Sequence, residues 1–288
     1  MSTASLSACP PATFSGVDRY YTAETYLLPH DEDERERLQL QHDMLMKYTK
    51  SLIPPSLVLA DGDKVLDAGT GSGVWLLEVA RMVPSTIALT GIDIEKRLFP
   101  QPSSNTKFMV QTTLSLPEGW NSRFALVHQR LMVAAFSREA WKACISEFFR
   151  VLQPGGWLQL EEIDFLGVLE EAEIPPLTHR FWMGARVLCE ARGVSSDCLL
   201  RIPDLLEEAG FTALRMIKTR IPYGSDKSAR RAGIGAWKGM KAPFLKAGGF
   251  DVARTSEEYD DFMDQVENEW RRLHFKRTYA TWTARKPL

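Results

Sequence analysis

The chain has 288 residues, 44% hydrophobic and 25% charged, with 35 basic against 37 acidic side chains and a formal charge of −2. These proportions are ordinary for a globular chain and exclude collagen-like, coiled-coil and disordered classes, while the length allows one large domain or two small ones. So small a net charge supplies no field to draw the chain to nucleic acid or an anionic membrane, and neither is expected as a partner.

Residues 1–19 are rich in Ser, Ala and Pro and lack the basic segment and apolar run of a secretory signal, so they read as a disordered tail. Cys9, Cys144, Cys189 and Cys198 form no C-x-x-C pair and no metal-ligand spacing with the five histidines. That points to reduced thiols in a cytoplasmic protein without a metal. The longest apolar run, 131–136, falls far short of the roughly 18 residues a membrane span needs.

From Asp31, with Glu34 three residues on in the manner of a capping box, the sequence predicts a helix to Tyr48. Leu38, Leu45 and Tyr48 share a face with Gln41 and His42. Pro54 and Pro55 end it. Strand candidates follow at 64–67, 86–93, 107–110, 124–128 and 157–164, alternating with helices at 74–83 and 138–152. Such alternation predicts an α/β fold with a parallel sheet between helices. The turn signal Gln153-Pro154-Gly155-Gly156 leads into the fifth strand. Helices at 176–192 and 203–209 then precede strands at 212–221 and 276–283. Between those strands, Tyr259, Phe262, Met263, Val266, Trp270 and Leu273 mark an amphipathic helix. Trp182, Met183, Trp237, Met240, Phe244 and Phe262 are large apolar groups available either to the core or to a cap over a substrate.

The strongest signal is Asp67-Ala68-Gly69-Thr70-Gly71-Ser72-Gly73, a strand end running into a glycine turn and a helix. Glycines let the backbone turn tightly and let a ligand approach the main chain. A dinucleotide fingerprint would need glycine where Val74 stands, and a phosphate loop would need Gly-Lys-Ser/Thr. Asp67 would repel a pyrophosphate but suit a cationic ligand. Asp93, twenty residues beyond Gly73, ends the next strand, where a carboxylate accepts both hydroxyls of a ribose. A nucleoside with a ribose, no phosphate and a positive charge satisfies these conditions, and S-adenosylmethionine is such a ligand.

With the motif D/E-x-G-x-G-x-G complete from Asp67 to Gly73, the chain resembles the class I S-adenosylmethionine-dependent methyltransferases. It is similar in particular to the fungal small-molecule methyltransferases related to the regulator LaeA. The residues that carry this likeness are Tyr26-Leu27-Leu28-Pro29-x-Asp31, Glu34, Arg37-Leu38, Gln41-His42, Trp75, His128-x-Arg130 and Pro154-Gly155-Gly156-Trp157. The resemblance implies a Rossmann-like, mostly parallel seven-stranded sheet. To this are added a helical lid over 20–56 and a core over 57–288, with a helical insertion around 224–274 before the last strand. It also implies that Asp67, Gly69, Thr70 and Gly71 meet the methionine moiety, that Asp93 and Ile94 meet the ribose, and that Thr112 and Thr113 flank the adenine. His128 would border the methionine end, and Tyr26, Gln41 and His42 would come from the lid. Two departures stand out: no acidic residue lies near Thr112, and Ala125 stands where many relatives carry Asp.

Methyl transfer from a sulfonium asks the protein chiefly for orientation and exclusion of water, with a general base where the acceptor is protonated. Base candidates are His128 and Glu162, with His42, Glu161 and Asp164 beside them. Strand alternation puts Glu162 and Asp164 on one face and Glu161 on the other. The function expected is methyl transfer to a small, largely apolar metabolite of specialised metabolism. Two rivals are a cyclase that keeps S-adenosylmethionine as a fixed charge, and a LaeA-like regulator that works through protein partners.

Overall fold

The computed structural model describes residues 32–169 and 173–288. Helix α1 (Glu32–Thr49) comes first, followed by β1 (Lys64–Ala68), α2 (Val74–Met82), β2 (Ala88–Asp93), β3 (Thr106–Val110) and β4 (Phe124–Arg130). The chain continues through α3 (Arg138–Val151), β5 (Leu152–Ile163), α4 (Pro176–Ala191), α5 (Cys198–Glu208) and β6 (Thr212–Ile221). Helices α6 (Lys227–Gly239), α7 (Lys241–Lys246) and α8 (Ser256–Arg272) precede the last strand, β7 (Arg277–Arg285). The expected tail, Tyr26 and the Asp31 half of the capping box lie outside the described residues. Glu34 accepts two hydrogen bonds from Arg37.

The seven strands form one sheet in the order β3-β2-β1-β4-β5-β7-β6. The first five run parallel, and β7 is antiparallel to both its neighbours. Strand alternation sends successive side chains to opposite faces. Val65, Leu89 and Leu126 therefore pack with Trp75, Leu76 and Val79 of α2, while Leu66, Ile92 and Val127 pack with the α3 stripe Trp141, Ile145 and Phe148. Helix α3 starts where it does because Ser137 accepts a hydrogen bond from the Ala140 amide, and α8 because Thr255 and Glu258 form a reciprocal capping box.

Three boundaries differ from the sequence reading. Strand β5 begins at Leu152 rather than 157. Phe124 pairs with Leu152 and Leu126 with Trp157, so Gln153 to Gly156 form an irregularity inside the strand, with Gly155 at φ +75°. Helix α5 starts at Cys198 and carries Pro203 inside it, because Leu199, Ile202 and Leu206 are buried on one stripe that outweighs the missing amide. Leu273 follows the end of α8 and is 47% exposed, so it does not continue that helix's apolar face.

The region 224–274 packs on α1 through α6, on α4 and on itself. Phe181 stacks on Trp237 with ring centroids 4.0 Å apart, and Trp237 meets Trp270 edge-on. At the start of α6 its N-cap Asp226 also accepts hydrogen bonds from Lys47 and Tyr48 of α1.

Candidate active site

A cavity of about 390 Å³ opens beyond the carboxyl ends of β1, β2, β3 and β4, where ligands of open parallel sheets sit. Gly69, Thr70 and Gly71 form its floor, Asp93 and Ile94 one side, and Thr112 and Thr113 the end over β3. Gln41 and Leu38 reach in from α1. Of the residues expected to meet the cofactor, Gln41, Gly69, Thr70, Gly71, Asp93, Ile94, Thr112 and Thr113 therefore converge on one hollow.

The loop is tight for stated reasons. Gly69 has φ +71°, and a Cβ there would lie 2.9 Å from Met132 Sδ. A Cβ at Gly73 would lie 2.7 Å from the Phe108 ring. The Gly71 amide donates to Asp93 Oδ2 at 2.8 Å and the Glu95 amide to Asp93 Oδ1 at 3.1 Å, so one carboxylate ties the turn after β1 to the end of β2. Leu38 covers the loop from above, 3.6 Å from where a Cβ of Gly71 would be.

Asp67, His128 and Glu162 are not in the cavity wall. Asp67 is 2% exposed and turned beneath the loop, where it accepts from the Thr70 hydroxyl and lies 2.7 Å from His128 Nδ1. His128 is fully buried, stacked on Trp75, and its Nε2 lies 3.5 Å from Glu161 Oε2. Glu161 also accepts from the Tyr279 hydroxyl at 2.9 Å and from Gln159. A continuous buried chain thus runs Thr70–Asp67–His128–Glu161–Tyr279. Burial disfavours the charged imidazole, but its two carboxylate partners prevail and raise the His128 pKa. Burial likewise opposes the Glu161 carboxylate, and His128 more than offsets this, so its pKa falls.

The two base candidates His128 and Glu162 lie on opposite faces of the sheet. Gln159, the register partner of His128, shares its face with Glu161, so Glu162 points through the sheet to the other side. There its carboxylate holds the Met132 and Val133 amides at 2.8 and 3.0 Å, and burial pushes its pKa up to about 8. Asp164 binds the Val168 and Leu169 amides in the same manner. His42 faces α2 and pairs with Glu78; burial and the Arg130 charge lower its pKa despite that partner.

The sequence reading did not pick out several wall residues as contacts. Arg130, Leu131 and Met132 follow β4; Phe136 and Ala140 flank the start of α3; and Arg192 to Val194 follow α4. Arg130 carried a signal in His128-x-Arg130. The segment after α4 carried none, because only the tertiary fold brings it to the sheet's edge. No residue of 224–274 borders the cavity, so the large aromatics there serve packing rather than cover over this hollow.

The methyltransferase-domain family matches residues 65–156, from the first strand to the turn inside the fifth. N-methyltransferase sirN of Leptosphaeria maculans is 31% identical over 263 residues, covering 87% of this chain and 92% of that protein. Secondary metabolism regulator laeA of Aspergillus fumigatus is 26% identical and covers 93% of this chain and 74% of its own. In fold, the chain is similar to a phosphoethanolamine N-methyltransferase of Haemonchus contortus solved with S-adenosylhomocysteine. That likeness has a TM-score of 0.52 at 12% identity; it covers 92% of this chain but only 55% of the other, so the chain spans about half its length.

Proposed function

The chain belongs to the class I S-adenosylmethionine-dependent methyltransferases, within the fungal group that includes sirN and laeA, and we propose that it methylates nitrogen on a small, largely apolar metabolite. The observation that carries this reading is one cavity joining Asp93 and the glycine loop to an apolar chamber of Leu38, Leu131, Met132, Ala135, Phe136 and Val194. The choice of nitrogen rests on the named activity of sirN.

The residues present fit the cofactor. The turn at Gly69 and Gly71 leaves the main chain bare for close approach, Asp93 brings a carboxylate to the cavity where ribose hydroxyls would donate, and Gln111, Thr112 and Thr113 offer neutral polar groups to an adenine. When bound, S-adenosylmethionine supplies a methyl group already activated on a sulfonium. The protein's own part is then to hold the acceptor in line and to exclude water, with α1 as the roof. His128, Glu161 and Glu162 are buried away from the cavity and engaged elsewhere, so catalysis by orientation is favoured over a side-chain base among them.

No helix among the described residues is long and apolar enough to cross a membrane. A cytoplasmic setting suits Cys144, Cys189 and Cys198, which are buried thiols. The formal charge of −2 favours a small molecule over nucleic acid as the acceptor.

The test is product analysis with S-adenosylmethionine deuterated in its methyl group and a panel of small amines and amides. The expected result is release of S-adenosylhomocysteine and transfer of the labelled methyl to nitrogen. An isomerised product with the cofactor unchanged would assign a cyclase instead.

A further inference from the structure

The acids that line the cavity are engaged by the protein itself. Glu34 receives two nitrogens of Arg37 at 2.7 and 2.8 Å, Asp93 receives the Gly71 and Glu95 amides, and Glu95 receives the Arg97 amide. Arg130 differs. It is a half-buried guanidinium in the cavity wall, and among the described residues nothing accepts a hydrogen bond from it or forms an ion pair with it. Its register partner Glu161 is already occupied by Tyr279, Gln159 and His128. A guanidinium has five N–H donors in a planar fork that matches a carboxylate, so one left open on a partly dry wall is a receptor for an anion.

Its place in the sheet says where that anion lies. Asp67 pairs with His128 and Ala68 with Gln129, so Arg130 leaves β4 in step with Gly69 leaving β1. Across the strand order, Thr112 follows β3, Asp93 ends β2, the glycine loop follows β1 and Arg130 ends β4. A ligand laid over these ends with its base above β3 and its ribose at Asp93 brings its far end two strand spacings on, about 10 Å, to Arg130. We propose that Arg130 binds a carboxylate, and that this is the α-carboxylate at the methionine end of the cofactor. The proposal rests on the reading of the cavity as the S-adenosylmethionine site. A carboxylate on the acceptor is the other source of the same chemistry.

Calorimetry separates these cases, using S-adenosylhomocysteine and its decarboxylated analogue with the wild type, Arg130→Met and Arg130→Lys. The wild type should prefer the carboxylate-bearing ligand by about tenfold to a hundredfold, the range for charge-assisted hydrogen bonds. Arg130→Met should bind both ligands alike, and Arg130→Lys, which keeps the charge but not the fork, should fall between. A wild-type preference that persists undiminished in a folded Arg130→Met would overturn the assignment. So would unchanged S-adenosylhomocysteine affinity with a raised acceptor KM, which would move the carboxylate to the acceptor. If the wild type binds neither ligand, the underlying reading of the cavity fails, and the assignment with it.

Discussion

The imidazole of His128 lies flat on the indole of Trp75, with ring centroids 3.7 Å apart and planes 5° from parallel. That stack fixes the ring so that its two nitrogens face Asp67 and Glu161, and a cation over an indole face is itself favourable. Since the folded pKa of His128 is raised above its ordinary value of 6.5, its contribution to stability is complete below that value and is lost as pH rises through the folded pKa. Glu161 is lowered from 4.5, so its contribution is present above 4.5 and is lost as pH falls through its folded pKa. His128→Leu strands two buried carboxylates and is expected to cost about 3–5 kcal/mol. In thermal melts, the gap between wild type and variant should shrink as pH rises above 6.5. A gap that stays constant to high pH would contradict a charged imidazole.

Glu162 behaves in the opposite way to a catalytic carboxylate. With its pKa pushed up to about 8 by burial, it is largely protonated at neutral pH, and its contribution to stability should decline as pH rises from 4.5 to about 8 and be lost above it. Glu162→Gln keeps an oxygen for only one of the Met132 and Val133 amides, sets an NH2 against the other, and does not titrate. It is expected to cost about 1–3 kcal/mol at pH 4.5 for the amide left unpaired, to recover part of that loss relative to wild type as pH rises to about 8 with no further change above it, and to retain the single-turnover rate within tenfold. A loss of 10²-fold or more in the chemical step alone would restore Glu162 as a base.

Much of this arrangement is legible in the sequence because it is local. Asp67 to Gly73 and Asp93 lie at strand ends whose apolar runs set their own register, and the structure puts Gly69, Thr70, Gly71 and Asp93 in one cavity. Side-chain direction at the fourth and fifth strand ends is legible too, since alternation alone separates Glu161 from Glu162. What alternation does not show is which face meets the cavity. That depends on α2 bringing Trp75 under His128, and on the Met132 and Val133 amides turning back over Glu162. Contacts such as Val194 are further out of reach, because the segment after α4 returns to the sheet only through packing against α3 and α5.

Asp226 ties the end of the roof helix α1 to the start of α6. Burial opposes its charge, but hydrogen bonds from Lys47, Ser228 and Tyr48 hold its carboxyl well below the usual range. Asp226→Ala removes the N-cap of α6, worth about 1 kcal/mol, together with two hydrogen bonds from the last turn of α1. Amides of α1 should then exchange with deuterium faster at pH 7, while those of β1 and β4 keep their protection. Unchanged exchange in α1 would show that Gln41 and Leu38 are held over the cavity by other contacts.

The central claim is that the hollow between Asp93 and the glycine loop holds S-adenosylmethionine. It is tested most directly by calorimetric titration of S-adenosylhomocysteine into the wild type, Asp93→Asn and Asp93→Ala. Hydrogen bonds to a charged acceptor are worth roughly 1.5–3 kcal/mol each, so Asp93→Ala should weaken binding at least tenfold. Asp93→Asn, which keeps an oxygen for the Gly71 amide, should lose less. The account predicts saturable binding in the wild type and this order among the variants. No binding to the wild type, or equal affinity in a folded Asp93→Ala, would contradict it.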